Sequence, residues 1–376
     1  MSVNERTIKV LHCNNDNYNL GGAFIITYRV NELLLKKGIV CDYITMDHFV
    51  DSCNFSIPEG VKTFSANLRK NRFLGHIILP FYVYSILKKE KYDILHIDID
   101  SAWKALLYAI PGKICDCKII VHSHSSGIDG DAKRIKAFIE SFSKVLLLGF
   151  TSCYLACSSR AAKWIVPTRY QKKVKIIFNG IDFNKFYFSH EERRLIRNNY
   201  KWENKFVIGN VALVTENKNQ EFLIELIDSL RRIKDNSILV LIGNNKTEYA
   251  DYLRRLIKQK KLEDHVVFLG EIGNVRELMN AMDVYIQSSH FEGLPLVCVE
   301  SQACGLDTFI SKTISNEVCI SEWCDSFSLD IDIDDFAARI ASITSKEEIR
   351  QSRKLDKKYS LTYMAKKEVD IYNQLI

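Results

Sequence analysis

Two carboxylates, Glu292 and Glu300, flank a short apolar segment that begins Glu-Gly-Leu-Pro. Residues 283–286 predict a strand before them, and residues 296–304 predict a mostly buried helix after a short polar loop. Pro295 suits the first turn of that helix, because its missing N–H has no intrahelical bond to lose. Free backbone N–H groups at such a helix N-terminus bind phosphate well. The stretch therefore suits a phosphate-bearing ligand; the alternative is two surface glutamates around an ordinary helix.

Two histidines, His122 and His124, follow a strand predicted at residues 118–121, and alternation along the strand places both imidazoles on one face. No third ligand is spaced nearby, so no metal site is predicted there. Asp98 and Asp100 follow another predicted strand with a spacing that can hold a divalent metal. Acidic residues reach this spacing easily at strand ends and turns, and we assign no metal ligand anywhere in the chain.

Strands and helices alternate along the whole sequence, which is typical of parallel sheets. The first strand, at residues 8–13, leads through a polar loop ending in Gly21 and Gly22 to an amphipathic helix at residues 23–37. A strand, a glycine-bearing loop and a helix are how a Rossmann-like unit begins, although Gly-Gly alone is also simply a tight turn. A charge-rich stretch at residues 186–201 predicts a domain boundary.

Length and composition indicate a two-domain cytoplasmic protein. The 376 residues suffice for two full cores, and 47% hydrophobic with 26% charged residues is ordinary for globular proteins. The polar start predicts no secretory signal, and no apolar stretch is long enough to span a membrane. The 11 cysteines are scattered, which favours reduced thiols, and several lie inside apolar runs (Cys13, Cys41, Cys157, Cys298, Cys304). Cys115 and Cys117 have no second pair at zinc spacing.

Positive charge is concentrated in the first half of the chain. Residues 1–187 hold 26 Lys and Arg against 16 Asp and Glu, a balance of +10, whereas the remainder holds 26 against 30, a balance of −4. The imbalance indicates an anionic partner such as a membrane face or lipid phosphate, or else only a basic surface, and we do not predict nucleic acid. Residues 69–91, apolar and aromatic between basic ends, predict either an interfacial helix near anionic lipid or a buried helix interrupted by Pro80.

The Glu-Gly-Leu-Pro motif with Glu300 closely resembles the donor site of retaining glycosyltransferases of family four, which have the GT-B fold. Gly-Gly-Ala after the first strand, Ala-x-Ser at residues 156–158 and Asn-Gly-Ile-Asp at residues 179–182 are similar to other motifs of that family. The resemblance implies an α/β protein with two Rossmann-like parallel-sheet domains that face a central cleft. The implied domains are residues 1–186 for the acceptor, residues 187–355 for the donor, and a helix at residues 356–376 that crosses back to the first domain.

The resemblance also implies a role for each matching residue. Glu292 lies by the transferred sugar, Glu300 accepts hydrogen bonds from the ribose hydroxyls, and Lys218 binds the diphosphate. His124 falls at the base of the acceptor cleft, so that His124, Glu292 and Lys218 form the expected catalytic set. Further donor-binding residues are expected on the backbone of two loops: Gly21, Gly22, Gly293 and Leu294.

One position departs from the family pattern. The family carries an arginine shortly before the lysine, where it forks onto the donor diphosphate, and this chain has Leu213. The implied reaction moves a sugar from a nucleoside diphosphate sugar, with UDP expected, to a hydroxyl of a glycan or lipid-linked glycan. It retains the anomeric configuration and uses no metal and no cofactor beyond the nucleotide sugar. The alternatives are a non-catalytic homologue that binds a partner and a sugar-nucleotide epimerase or hydrolase on the same fold.

Overall fold

The computed structural model describes residues 7–13, 22–45, 59–66, 72–99, 101–124, 134–292, 294–344 and 347–376. The chain divides into two compact units. Unit 1 comprises Met1–Gly180 together with Lys358–Ile376, and unit 2 comprises Ile181–Lys357. The last segment of the sequence therefore belongs to unit 1.

Unit 1 is a seven-stranded sheet covered by helices. Its sheet order is β3-β2-β1-β4-β5-β6-β7, and every pairing in it is parallel. The strands are β1 (Ile8–Cys13), β2 (Ile39–Thr45), β3 (Thr63–Ser65), β4 (Ile94–Ile99), β5 (Lys118–Ser123), β6 (Cys153–Ala156) and β7 (Val174–Ile176). The helices are α1 (Gly22–Leu35), α2 (Arg72–Glu90), α3 (Ala102–Ile114), α4 (Arg134–Leu147) and α5 (Ser159–Ile165), with α13 (Leu361–Leu375) returning from the far end of the sequence.

Unit 2 is a six-stranded parallel sheet in the order β10-β9-β8-β11-β12-β13. The strands are β8 (Phe206–Val211), β9 (Ser237–Ile242), β10 (Val266–Gly270), β11 (Val284–Gln287), β12 (Asp307–Ser311) and β13 (Cys324–Phe327). The helices are α6 (His190–Tyr200), α7 (Gln220–Ile233), α8 (Glu248–Lys260), α9 (Val275–Ala281), α10 (Leu296–Ala303), α11 (Ile333–Ala341) and α12 (Glu347–Ser352).

The fold prediction is confirmed: each unit is a Rossmann-like layer of parallel strands between helices. Parallel strands buried on both faces read as continuous apolar runs, and β9 (Ser-Ile-Leu-Val-Leu-Ile) is buried at every position. The cysteines predicted inside apolar runs are likewise buried. Within the described residues, no helix combines the length and hydropathy needed to cross a bilayer.

Helix α2 corrects one detail predicted for residues 69–91, because the helix is not interrupted at Pro80. It runs unbroken through Pro80, because proline removes one helix hydrogen bond but does not prevent the helix from continuing when packing holds it. Leu79 and Val83 are buried in the core, while Ile77 and Phe81 are exposed. The helix is therefore neither fully buried nor wholly at the surface.

Candidate active site

Lys218 and Glu292 form an ion pair in unit 2. Lys218 ends a short 3-10 turn, Glu216–Lys218, between β8 and α7, and Glu292 lies in the loop between β11 and α10. The same carboxylate oxygen accepts hydrogen bonds from Ser289 Oγ at 3.0 Å and from Gln287 Nε2 at 3.3 Å. The sequence prediction placed both charged residues at the donor site, and the structure brings them into direct contact.

A second set of hydrogen bonds holds these two loops together. Ser288 Oγ donates to the backbone carbonyls of Lys218 at 3.1 Å and Asn219 at 2.8 Å. The backbone N–H of His290 donates to the carbonyl of Asn217 at 2.7 Å, and the Asn217 amide donates to Phe291 O at 3.0 Å. Because these bonds tie each loop to main-chain carbonyls of the other, the lysine is set at a defined place beside the carboxylate.

Helix α10 begins directly after this loop. Pro295 stands at its N-cap rather than inside the first turn, and the helix runs from Leu296 to Ala303. Glu300 lies on this helix, as the sequence predicts, and its side chain is buried; Leu294 is buried just before the helix. A helix start leaves backbone N–H groups without intrahelical partners, so α10 supplies donors for an anion at the same end of the sheet. Gly293 lies outside the described residues.

Leu213 occupies the position at which the sequence analysis noted a missing arginine. Its side chain is 49% exposed, and its carbonyl accepts a hydrogen bond from the Gln220 amide at 3.1 Å. The adjoining main chain is close-packed: a Cβ on Gly243, which has φ +138°, would lie 2.1 Å from the carbonyl oxygen of Ala212. The backbone geometry of this turn is thus tightly specified, while the side chain offers no charge to a phosphate.

In unit 1, a carboxylate lies among four histidines that face one side of the sheet. Asp98 on β4 accepts hydrogen bonds from His124 Nε2 at 2.8 Å and from His12 Nδ1 at 3.1 Å. His96 on β4 and His122 on β5 contact each other through Nε2 and Nδ1 at 3.1 Å. The expectation that no third polar ligand lies near the two histidines is therefore wrong. Asp100, Gly21 and the loop preceding Gly22 lie outside the described residues.

Burial and mutual contact fix the charges in this cluster. Burial raises the pKa of Asp98, but His96 and the hydrogen bonds from His12 and His124 outweigh it and hold that pKa well below its usual range. Burial and the proximity of His12 lower the pKa of His96 to about 3, and burial with His124 lowers the pKa of His122. His96 and His122 are neutral at physiological pH, while Asp98 is ionised.

The Asp98 carboxylate defines what His124 can do. With Nε2–H donated to Asp98, the other ring nitrogen of a neutral imidazole is an acceptor. His124 Nδ1 is buried and has no hydrogen-bond partner within the part of the chain that the structure describes. It can therefore accept a hydrogen bond from a ligand hydroxyl. Asp98 was missed in the sequence because it lies 26 residues from His124, and only the β4–β5 pairing brings them together.

Comparison with known proteins identifies the family. Residues 192–358 match the family described as glycosyl transferases group 1, and residues 20–185 match glycosyltransferase family 4. The UDP-Gal:α-D-GlcNAc-diphosphoundecaprenol α-1,3-galactosyltransferase of Escherichia coli is 23% identical over 269 residues, which are 70% of this chain and 69% of that one. The capsular polysaccharide biosynthesis glycosyltransferase CapH of Staphylococcus aureus is 23% identical over 225 residues, 59% of this chain and 60% of its own length.

A solved structure shows the same fold at greater coverage. Anabaena HepE in complex with UDP superposes with a TM-score of 0.75 at 18% identity, covering 98% of this chain and all of that one (100%). Among the first three curated relatives, the matched part spans 58% to 69% of their lengths. Each half of the sequence has its own parallel sheet, and each half matches a family of glycosyltransferases. The chain belongs to the family-four type of glycosyltransferase and has the GT-B fold.

Proposed function

We propose that the chain transfers a sugar from a UDP-sugar to a hydroxyl of a glycan or lipid-linked glycan, with retention of configuration and without a metal. The observation that carries this proposal is the Lys218–Glu292 pair beside the start of α10, with Glu300 buried on that helix. It sets a cation, helix N–H donors and two carboxylates at one end of the sheet. Those groups match a diphosphate, a sugar and a ribose diol.

In the proposed donor complex, Lys218 neutralises charge that develops on the leaving diphosphate. The lysine ammonium has three donors, so it can keep one bond to Glu292 while it binds phosphate oxygens. HepE forms complexes with UDP, with UDP-glucose, and with UDP and glucose together, which supports a uridine nucleotide. The Glu300 carboxylate then accepts hydrogen bonds from the two ribose hydroxyls.

On the acceptor side, we assign His124 to the hydroxyl or to the transferred sugar, with Asp98 as a positioning residue. The His124 Nδ1 acceptor described above suits a hydroxyl donor. The Escherichia coli relative transfers galactose to α-D-GlcNAc-diphosphoundecaprenol, which supports a lipid-linked acceptor here.

The test is a panel of nucleotide sugars screened first for protection against thermal unfolding and then for transfer to undecaprenyl-diphosphate sugars. A bound ligand raises the melting temperature by mass action, so UDP and one UDP-sugar should stabilise the protein more than GDP does. Transfer should persist in excess EDTA. Stabilisation by GDP alone would refute the uridine assignment, and loss of transfer in EDTA would refute metal independence.

A second candidate is a non-catalytic homologue, and the exposed Leu213 side chain is the observation that favours it. Without the second cation, the site binds a nucleotide but stabilises the leaving group less. The same screen separates the two: UDP binding with no transfer and no consumption of any donor identifies a binding protein. Rapid consumption of donor without acceptor identifies an epimerase or hydrolase.

We also propose that unit 1 contacts an anionic membrane face from the cytoplasm through its helices α2, α3 and α4. Helix α4 has its apolar side chains outward and is docked through Glu140, whose carboxylate accepts from the backbone N–H of Ala102 at 2.5 Å. Helix α3 packs against both neighbours. The exposed apolar side chains, here called the apolar helix face, are Leu74, Ile77, Ile78, Phe81, Ile110, Ile114, Ile135, Phe138, Ile139, Phe142, Val145 and Leu146.

Basic residues accompany the apolar helix face, which favours anionic lipid over a second copy of the same positively charged unit. Lys88 and Lys89 end α2, Lys113 ends α3, and Lys136 lies on the exposed part of α4. Phe138 is 72% exposed and stacks on Phe142. An apolar face with basic flanks inserts at the headgroup boundary and is attracted by negative surface potential.

Vesicle co-sedimentation tests this contact. The wild type should bind phosphatidylglycerol vesicles at low salt, bind much less at high salt, and bind phosphatidylcholine weakly. The double variant Phe138→Ser, Phe142→Ser should lose binding, whereas Ile233→Ser, which removes an exposed isoleucine from α7 of unit 2, should not. Equal binding by both variants would refute the assignment, and no wild-type binding at low salt would point to a soluble acceptor.

A further inference from the structure

Two thiols in unit 2 lie closer together than unbonded sulfur atoms normally pack. Cys319 follows the 3-10 turn Asn316–Val318, and Cys324 begins β13. Their Sγ atoms are 2.7 Å apart, against about 2.05 Å in a disulfide bond. The chain between them turns back on itself, so a bond needs only a small movement of the two side chains.

The two thiols are also accessible and chemically distinct. Both are partly exposed, whereas most cysteines in the described part of the chain are buried. The hydrogen bond between the two thiols lowers the pKa of Cys319, and the same hydrogen bond together with burial raises the pKa of Cys324. Cys319 therefore has the greater thiolate character, which is the property of an attacking thiol, and Cys324 is placed to resolve a mixed disulfide.

The segment that carries the pair is bonded to α10. Gln302 on that helix donates from Nε2 to Val318 O at 2.7 Å. Its Oε1 accepts from the backbone N–H of Ile320 at 2.8 Å and from Ser321 Oγ at 2.9 Å. Gln302 lies two residues beyond Glu300, so the turn between the two cysteines supports the helix on which Glu300 is held.

We propose that Cys319 and Cys324 are a redox-active dithiol that forms a reversible intrachain disulfide by exchange with a small-molecule disulfide. The Cys319 thiolate attacks one sulfur of the small disulfide, forms a mixed disulfide and releases one thiolate. Cys324 gives up its proton and attacks the Cys319 sulfur, which releases the second thiolate. Two protein thiols are oxidised to one disulfide, and the small disulfide is reduced to two thiols. This site goes beyond the proposed transferase activity and does not depend on it.

The disulfide between Cys319 and Cys324 would be a covalent cross-link, here called the brace, in the segment that is hydrogen-bonded to α10. Closing the loop between Cys319 and Cys324 restricts the unfolded chain, so the oxidised protein should melt on the order of 5 °C higher than the reduced protein. Reduction with dithiothreitol should reverse the shift. Because the bond needs little movement, UDP affinity should differ less than about twofold between the two forms, within the range of small side-chain adjustments.

The experiment treats the folded full chain with glutathione disulfide, blocks free thiols with iodoacetamide and analyses tryptic peptides by mass spectrometry. The peptide of residues 313–339 contains both cysteines and no internal trypsin site. It should be unalkylated and lighter by two hydrogens in the wild type and in the control Cys115→Ser, which removes another partly exposed thiol. Cys324→Ser should instead carry glutathione on Cys319.

Three results would overturn the proposal. Iodoacetamide could alkylate both cysteines after the glutathione disulfide treatment, which would show that no bond had formed. The wild-type peptide could also carry glutathione without losing two hydrogens. A disulfide that forms with no rise in melting temperature would refute the brace. The wild-type measurements decide each of these even where a variant fails to fold.

Discussion

Replacing Lys218 with alanine tests the placement of the donor diphosphate most directly. Its ammonium group is the cation that pairs with Glu292 in the loop between β11 and α10, and Leu213 supplies no second charge. One well-placed donor to a developing anion contributes about 2–4 kcal/mol to the transition state. That energy corresponds to a loss of roughly 30- to 1000-fold in turnover.

The fold should survive this substitution, which keeps the result interpretable. Glu292 retains its hydrogen bonds from Ser289 and Gln287, and the loop remains tied through Ser288 to the main chain of residues 218 and 219. The pair is partly exposed, so its own contribution to stability is small. The melting temperature of Lys218→Ala should therefore change little, and Lys218→Arg should recover part of the activity.

The assay is the initial rate of sugar transfer with saturating UDP-sugar, alongside UDP affinity by calorimetry. Lys258→Ala is the matched control, since Lys258 is an exposed lysine on α8 of the same unit. The control should be as active as the wild type. Full activity in Lys218→Ala would show that the diphosphate lies elsewhere, and a large drop in melting temperature would show that the lysine acts through the fold.

Four further expectations follow from the same geometry. Leu213→Arg should be neutral or mildly activating in the transfer assay, and activity that appears only in this variant would identify the natural chain as a degenerate homologue. Glu300→Gln should weaken UDP binding by calorimetry with an unchanged melting temperature; equal affinity would contradict the ribose role. Asp98→Asn should lower kcat more than it raises KM and shift the pH–rate profile, because His124 loses its carboxylate partner; an unchanged profile would argue against positioning. Burial and the nearby Asp98 raise the pKa of Glu368 to about 8, above the 4.5 of a free glutamate, so the stability it contributes is complete at acidic pH and is lost as pH rises through about 8. Denaturant titrations at several pH values should show that Glu368→Gln flattens this decline, and parallel pH curves would refute the assignment.

The arrangement of the proposed donor-binding residues can be predicted from the sequence because its determinants are local. Glu292, Pro295 and Glu300 fall within nine residues, where an apolar strand, a loop and a helix follow one another directly. Secondary structure alone then places the second carboxylate on the helix. The contact between Lys218 and Glu292 spans 74 residues, yet both belong to loops that follow neighbouring strands of a parallel sheet.

The acceptor side was harder to predict because its polar groups depend on strand order. His12, Asp98 and His122 come from β1, β4 and β5, whose adjacency cannot be deduced from spacing. The outward apolar side chains of α4 were missed for a different reason. Glu140 would be predicted at the surface from its polarity, but it is buried and accepts a backbone hydrogen bond at the start of α3. Helix α4 therefore packs through the face that carries Glu140, and its apolar face points outward.

Helix α13 has a consequence for how the protein is made. It completes unit 1 from the far end of the sequence: the Tyr372 hydroxyl and His96 Nδ1 are hydrogen-bonded at 2.7 Å, and the Gly180 N–H donates to Met364 Sδ at 3.3 Å. A ribosome releases residues 1–180 well before this helix exists. The cluster of histidines around Asp98 therefore emerges without the helix that packs against it. Unit 2, by contrast, is one continuous stretch of chain. During synthesis the second unit can therefore reach its native state before the first, and the nascent first unit, with its apolar helices already exposed, is the form that most needs protection by chaperones.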